Sequence, residues 1–365
     1  SSMLCAMPER AAPEGWSGFR SPECASPCDA VAYEVHVDDL TSRASWGGDP
    51  KLRDTYSGAA LPGTRYRNPD GAEIPTGFDH LRSLGVTHLQ LLPVFDFVSV
   101  DEARVADPEY AARREGGAFN WGYDPGNWNA PEGSYSSDPR DGATRVRELR
   151  SLVKAAGEAG MGVVMDVVYN HVPERRRSPL EACVPGYYFR GRRDSGAGDD
   201  TASERSMFGR FMADSLAWWL EAYKLSGFRF DLMGLHDVET MRRIGRRLRM
   251  LRRDVLLWGE GWDLYRGGSL VPASQANIRE LPGYGMFNDA FRDGVKGSVF
   301  DAPGKGWVHD GSKAESVKFG LVGAVRHAGV RTRKVEGTAN PKPWGRSAAA
   351  NLAYVEVHDN LTLHD

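Results

Sequence analysis

The chain has 365 residues, 41% hydrophobic and 26% charged, proportions that suit a packed core and exclude wholesale disorder. Its 46 basic and 49 acidic side chains leave a formal net charge of −3, so electrostatics direct it neither to nucleic acid nor to an anionic membrane. No apolar run approaches the ~20 residues of a membrane helix, and the expected partner is a neutral molecule.

Residues 1–30 carry Pro8, Pro13, Pro22 and Pro27 with little periodicity and read as an extended linker. The opening SSMLCAMPERAAPEG lacks the basic and apolar regions of a secretory signal; the expected localisation leans cytoplasmic, with the chain starting at serine. Cys5, Cys24, Cys28 and Cys183 are too few for a disulfide scaffold, and Cys24 and Cys28 have no second ligand pair for zinc.

Strand and helix signals then alternate. Ala32–Val37 is the first predicted strand and Val86–Leu92 the second, with Phe78, Leu81 and Leu84 at helical spacing between them and Gly85 ending that helix. A helix with Val146, Leu149, Val153 and Ala156 on its apolar face precedes a third strand, Gly162–Val168. The helix over 206–225 is predicted to bury Phe208, Phe211, Met212, Ser215, Trp218 and Tyr223, with Trp219 also in the core, and leads to a fourth strand, Gly227–Asp231. Val238, Met241, Ile244, Leu248 and Leu251 face inward on the next helix, whose arginines form a solvated face. Val255–Glu260, Met286–Phe291 and Ala353–His358 are the fifth, sixth and seventh predicted strands.

Nearly continuous apolar strands alternating with helices indicate a parallel sheet covered on both faces, and no GxGxxG follows the first strand. The expected fold is therefore an α/β (β/α)8 barrel. Polar residues cluster at predicted strand ends: Asn170 and His171, Asp231, Glu260, His358 and Asp359. In a barrel those ends share the face that carries chemistry.

Arg229 and Asp231 lie two apart, so strand alternation places both on one side and Phe230 on the other. A guanidinium beside Asp231 favours its ionised form, which suits a nucleophile. Glu260 ends the next predicted strand, 29 residues further on, within reach of Asp231 across neighbouring strand ends. One ionised carboxylate facing a second, more buried one fits two-step glycoside hydrolysis with retention. An Arg–Asp pair bracing the barrel interior, with Glu260 capping a helix, fits the same spacing.

Longer motifs are more specific. DVVYNH (166–171), GFRFD (227–231), GEGWD (259–263) and VHDN (357–360) resemble, in order, the four signature regions of the α-amylase superfamily. YEVHV (33–37), GVTHLQLLPVFDF (85–97), FNWGYDP (119–125), PEGSYS (131–136), VPGYYFR (184–190), DTASER (200–205) and GFRFDLMGLHDVETM (227–241) are similar to one branch, the type I pullulanases. The resemblance runs from about residue 30 to the last residue. It implies Asp231 as nucleophile, Glu260 as general acid/base and Asp359 as the third carboxylate. It further implies His171, Arg229 and His358 as donors around the sugar, Tyr123 as an aromatic platform, and Leu232 and Trp262 as contacts near the branch point. No organic cofactor is implied. Asn170 matches a calcium-binding position of many α-amylases, but few other acidic ligands accompany it and no metal site is assigned.

The activity so implied is debranching of α-glucans at α-1,6 links in pullulan, limit dextrins and branched maltooligosaccharides by retaining double displacement. The alternatives are an α-1,4-specific or isoamylase-like relative, or a non-catalytic glucan-binding fragment. The fragment reading arises because the chain stops after the seventh strand, leaving the eighth β/α unit and the usual β-sandwich domain absent and the barrel edges unpaired. The implied organisation is a linker over 1–30 and a catalytic barrel over 31–365, with inserted loops around 97–139, 172–205 and 264–350. SGAGDD (195–200) looks shorter than usual for the family, with Asp199 where asparagine is common. Asp166 is expected to be either a polar group at the sugar or a buried brace for Arg229 or His171. His36 and His88 are expected to be satisfied interior histidines, with His36 near the sugar site.

Overall fold

A computed structural model describes residues 11–364 except 106, 108 and 111–118, so Cys5 and Pro8 lie outside the described residues. Seven strands form one parallel sheet in chain order: β1 (Ala32–Val35), β2 (His88–Leu91), β3 (Gly162–Val167), β4 (Gly227–Phe230), β5 (Leu256–Gly259), β6 (Gly285–Phe287) and β7 (Asn351–Leu352). Every residue of β2 to β6 is buried, the pattern of strands covered on both faces.

Parallel neighbours need long crossovers, and helices supply them. The main ones are α1 (Gly77–Ser83), α2 (Gly142–Glu158), α3 (Ser206–Ala222), α4 (Val238–Leu251), α5 (Asp289–Lys296) and α6 (Ala314–Leu321). Asp141 caps α2 by accepting from Ala143 N, and Asp237 caps α4 by accepting from Thr240 N at 2.8 Å. Leu149, Val153, Phe208, Met212, Met241 and Ile244 pack these helices onto the outside of the sheet in one large core. No described helix is long and apolar enough to cross a membrane.

A smaller core of Val164, Leu256, Trp258 and Phe287 lies separately from the large one. The sheet is curled around it, because Trp258 Nε1 on β5 donates to Gln90 Oε1 on β2 at 2.8 Å, across two intervening strands. His358, beyond β7, likewise meets Glu34 on β1. The arrangement is an α/β half-barrel of seven strands in which β1 and β7 are not paired with one another.

Several expected elements differ. The seventh strand is Asn351–Leu352, not Ala353–His358: the chain leaves the ladder at Ala353, where Tyr354 packs edge-on against Phe287 and accepts from Arg292 Nη1. The sixth strand stops at Phe287 because Asn288 accepts from Phe291 N and starts α5 there. Leu84 and Leu251 are exposed, since both lie at helix ends where the apolar stripe runs out. Trp218 is 36% exposed whereas Trp219 is fully buried. The centre of the α3 stripe is Phe208, Met212, Leu216 and Trp219, and Trp218 is rotated ~100° from it.

Candidate active site

The site is assembled from strand ends. Arg229 pairs in register with Asp166 on β3 and with Trp258 on β5, so alternation sends Arg229 and Asp166 into one interior layer. Both are buried. Arg229 Nη1 donates to Asp166 at 2.8 and 2.9 Å and to Asp231 Oδ1 at 3.1 Å, while Nη2 lies 2.8 Å from Glu260 Oε1. Asp231 and Glu260 thus occupy the two ends of one guanidinium. A buried cation costs several kcal/mol unless paired, and three carboxylates offset that cost here.

Asp231 Oδ2 also accepts from Asn170 Nδ2 at 2.9 Å. Asn170 therefore turns its amide N–H towards an acid, while its Oδ1 is buried without a partner. Burial pushes the Asp231 carboxyl up, outweighing the pull of Arg229 and Asn170. This corrects the expectation of a simple ion pair holding it down: the single guanidinium is shared three ways. Asp166 is raised to about 7, chiefly by burial. Glu260 is raised by burial and by the Asp231 charge, against the pull of Arg229. Its Oε2 accepts from Leu232 N at 2.9 Å, and Leu232 itself is left-handed, with φ +39°.

Tyr123 arrives on the loop before Pro125–Pro131, which pairs antiparallel with Phe95–Phe97. The preceding Gly122 has φ +84°, and a Cβ there would meet Phe97 and Pro93 at 3.0 Å, so glycine is required for the turn. Tyr123 Oη donates to Asp166 Oδ2 at 2.6 Å, and the ring stacks on His358 with centroids 4.8 Å apart. His171 Nε2 lies 2.9 Å from Tyr123 O; burial lowers its imidazole to about 4, and Nδ1 is buried without a partner.

His358 Nδ1 lies 3.0 Å from Glu34 Oε1 and Nε2 3.5 Å from Asp359 Oδ1. Burial pulls this imidazole down, but the hydrogen bond and charge of Glu34, with Asp359, carry it above its ordinary value. Asp359 is 47% exposed at its side chain, and its charge reaches Glu260. Trp262 is half-buried against the small interior core.

Of the expected residues, Asp231, Glu260, Arg229, Tyr123, His171, Leu232, His358 and Asp359 form one connected network, and Trp262 stands beside it. Asp166 is the brace for Arg229 and Tyr123. Glu34, Gln90 and Trp121 were not singled out by sequence; a charged Glu34 inside a strand candidate was the available signal. Trp121 packs edge-on to His358 at 5.1 Å. His36 is partnered by Tyr135 Oη and Asn120 O, whereas His88 keeps Nε2 unpartnered and is lowered to about 4 by burial. Among described residues, Asp96, Glu102 and Glu132 are the acidic group with metal-ligand spacing. Arg145 already pairs with Glu102 there.

No family model matches the chain. It is 39% identical to the pullulanase of Bacillus subtilis (strain 168) over 350 residues, 93% of this chain and 45% of that protein. Pullulanase 1, chloroplastic, of Arabidopsis thaliana is 32% identical over 431 residues, 97% of this chain and 43% of that protein. The crystal structure of apo pullulanase from Paenibacillus barengoltzii superposes with a TM-score of 0.85 at 40% identity, covering 97% of this chain and 52% of that one. The same pullulanase has been solved with maltohexaose and α-cyclodextrin. The chain spans about half the length of the relatives it matches.

Proposed function

The chain is a homologue of the pullulanases, and on that premise we propose that it carries the catalytic centre of an α-glucan debranching hydrolase that cleaves α-1,6 links with retention. One observation carries the reading: Asp231 and Glu260 bracket a single buried guanidinium at adjacent strand ends. Three carboxylates sharing one cation out of water favour retention of a proton among them near neutral pH.

With that proton on Glu260, its carboxyl protonates the glycosidic oxygen while an Asp231 oxygen attacks the anomeric carbon. The C–O bond to the leaving sugar breaks and a glycosyl ester forms. Glu260, now a carboxylate, takes a proton from water, whose oxygen displaces Asp231 and regenerates both groups. Asn170 and Arg229 orient the attacking carboxylate. Tyr123 offers its ring face to the sugar, and His171, His358 and Asp359 line up polar atoms for its hydroxyls. Leu232 and Trp262 border the branch side. The named relatives and the LMGLHDVET stretch after Asp231 support α-1,6 over α-1,4 specificity.

The test is pullulan hydrolysis by this chain and by any longer product of its gene. Release of maltotriose is expected, and panose would indicate α-1,4 cleavage. Asp231→Asn and Glu260→Gln should each lower the rate by about 10³-fold or more. Near-normal turnover by either variant overturns the assignment.

A further inference from the structure

Glu34 stands on β1, at the opposite edge of the sheet from β7, yet its carboxylate collects three contacts, two of them from beyond β7. Oε1 accepts the backbone N–H of His358 at 2.6 Å and lies 3.0 Å from the Nδ1 of the same residue. Oε2 accepts from Gln90 Nε2 at 2.8 Å, and Gln90 Oε1 accepts from Trp258 Nε1. The carboxylate is thereby fixed from β2 and β5 before it reaches His358. Nothing in the catalytic step above uses it.

We infer that Glu34 is a positioning residue for the sugar-facing His358: one carboxylate on β1 grips both the backbone and the ring of a residue beyond β7, holding the imidazole flat against Tyr123 with Nε2 towards Asp359. The relevance to sugar binding rests on the function proposed above. The link between Glu34 and His358 does not. With Nδ1 bonded to an anion, Nδ1 carries a proton and Nε2 is left free to hold a second proton or to accept one from a sugar hydroxyl. The other groups around the ring are Tyr123 and Trp121 from the loop after β2, Asp166 at β3, Arg229 and Asp231 at β4, and Asp359 beside it. Replacing Glu34 by a neutral amide removes the anion in direct contact and leaves that set unchanged.

The experiment is an NMR titration of the His358 imidazole in the full chain, its resonance assigned with His358→Gln. Glu34→Gln should lower the His358 pKa by about one unit or more. Glu34→Asp, which keeps the charge but withdraws it by one methylene, should lower it less. Maltotriose affinity should weaken by about tenfold in Glu34→Gln and recover in part in Glu34→Asp. An unchanged His358 titration in Glu34→Gln, or in Glu34→Asp should the amide variant not fold, overturns the inference. If the wild-type chain binds no maltotriose, the proposed function fails, while the titration still decides the role of Glu34 towards His358.

Discussion

Glu260 reaches back to the residue that follows Asp231: its Oε2 accepts the N–H of Leu232 at 2.9 Å. The two candidate catalytic carboxylates are therefore coupled through backbone as well as through Arg229. Leu232 makes this bond from φ +39°, a left-handed conformation that a branched side chain adopts at a cost of about 1–2 kcal/mol.

That strain predicts an inverted order of substitutions. At most positions alanine is more stable than glycine, but at Leu232 glycine enters the left-handed region without penalty. Leu232→Gly is expected to exceed Leu232→Ala in stability by about 1 kcal/mol, measured by urea unfolding. The usual order, with alanine the more stable, would show that no strain resides there.

The acidic group near β2 predicts a pH effect outside the site. Glu132 is fully buried, and burial followed by the charge of Glu102 pushes its carboxyl up to about 8, despite N–H bonds from Ser134 and Phe97. A carboxyl raised on folding binds more protons when folded, so its contribution to stability is lost as pH rises from about 4.5 to about 8. Glu132→Gln does not titrate. Its stability relative to wild type should improve between pH 5 and pH 8, by up to about 3 kcal/mol. A difference that stays flat over this range, in chemical denaturation at both pH values, would exclude the raised value.

Adjacent tryptophans on α3 should behave very differently. Trp219 is fully buried and donates from Nε1 to Trp128 O at 2.7 Å, so Trp219→Ala is expected to cost about 3–5 kcal/mol. Trp218 is 36% exposed, and Trp218→Ala should cost about 1 kcal/mol or less. Thermal unfolding of the two variants compares them directly, and equal losses would place both side chains in the core.

The limits of sequence reading follow from particular residues. Strands β2 to β5 were legible because runs such as Gly162–Val167 are apolar at every position but Asp166, as burial on both faces demands. The last two strands were not, because β6 and β7 are short and the apolar residues beyond them serve α5 and a non-ladder segment. Trp218 was misplaced because helical spacing to within one residue does not decide which of two neighbours faces inward. In the site, alternation alone put Arg229 beside Asp231, yet it could not show that Asp166 and Glu260 claim the same guanidinium.

Sequence by itself determined that the chain alternates buried strands with helices and that Asp231 and Glu260 stand at the ends of β4 and β5. Local periodicity and motif spacing record those choices residue by residue. Only the tertiary structure decided how one cation is divided among Asp166, Asp231 and Glu260, and that Glu34 on β1 holds His358 beyond β7. Those relationships depend on strand pairing and on curvature that bring together side chains far apart in the chain. Their charge states depend on the loss of water there, which no local pattern encodes.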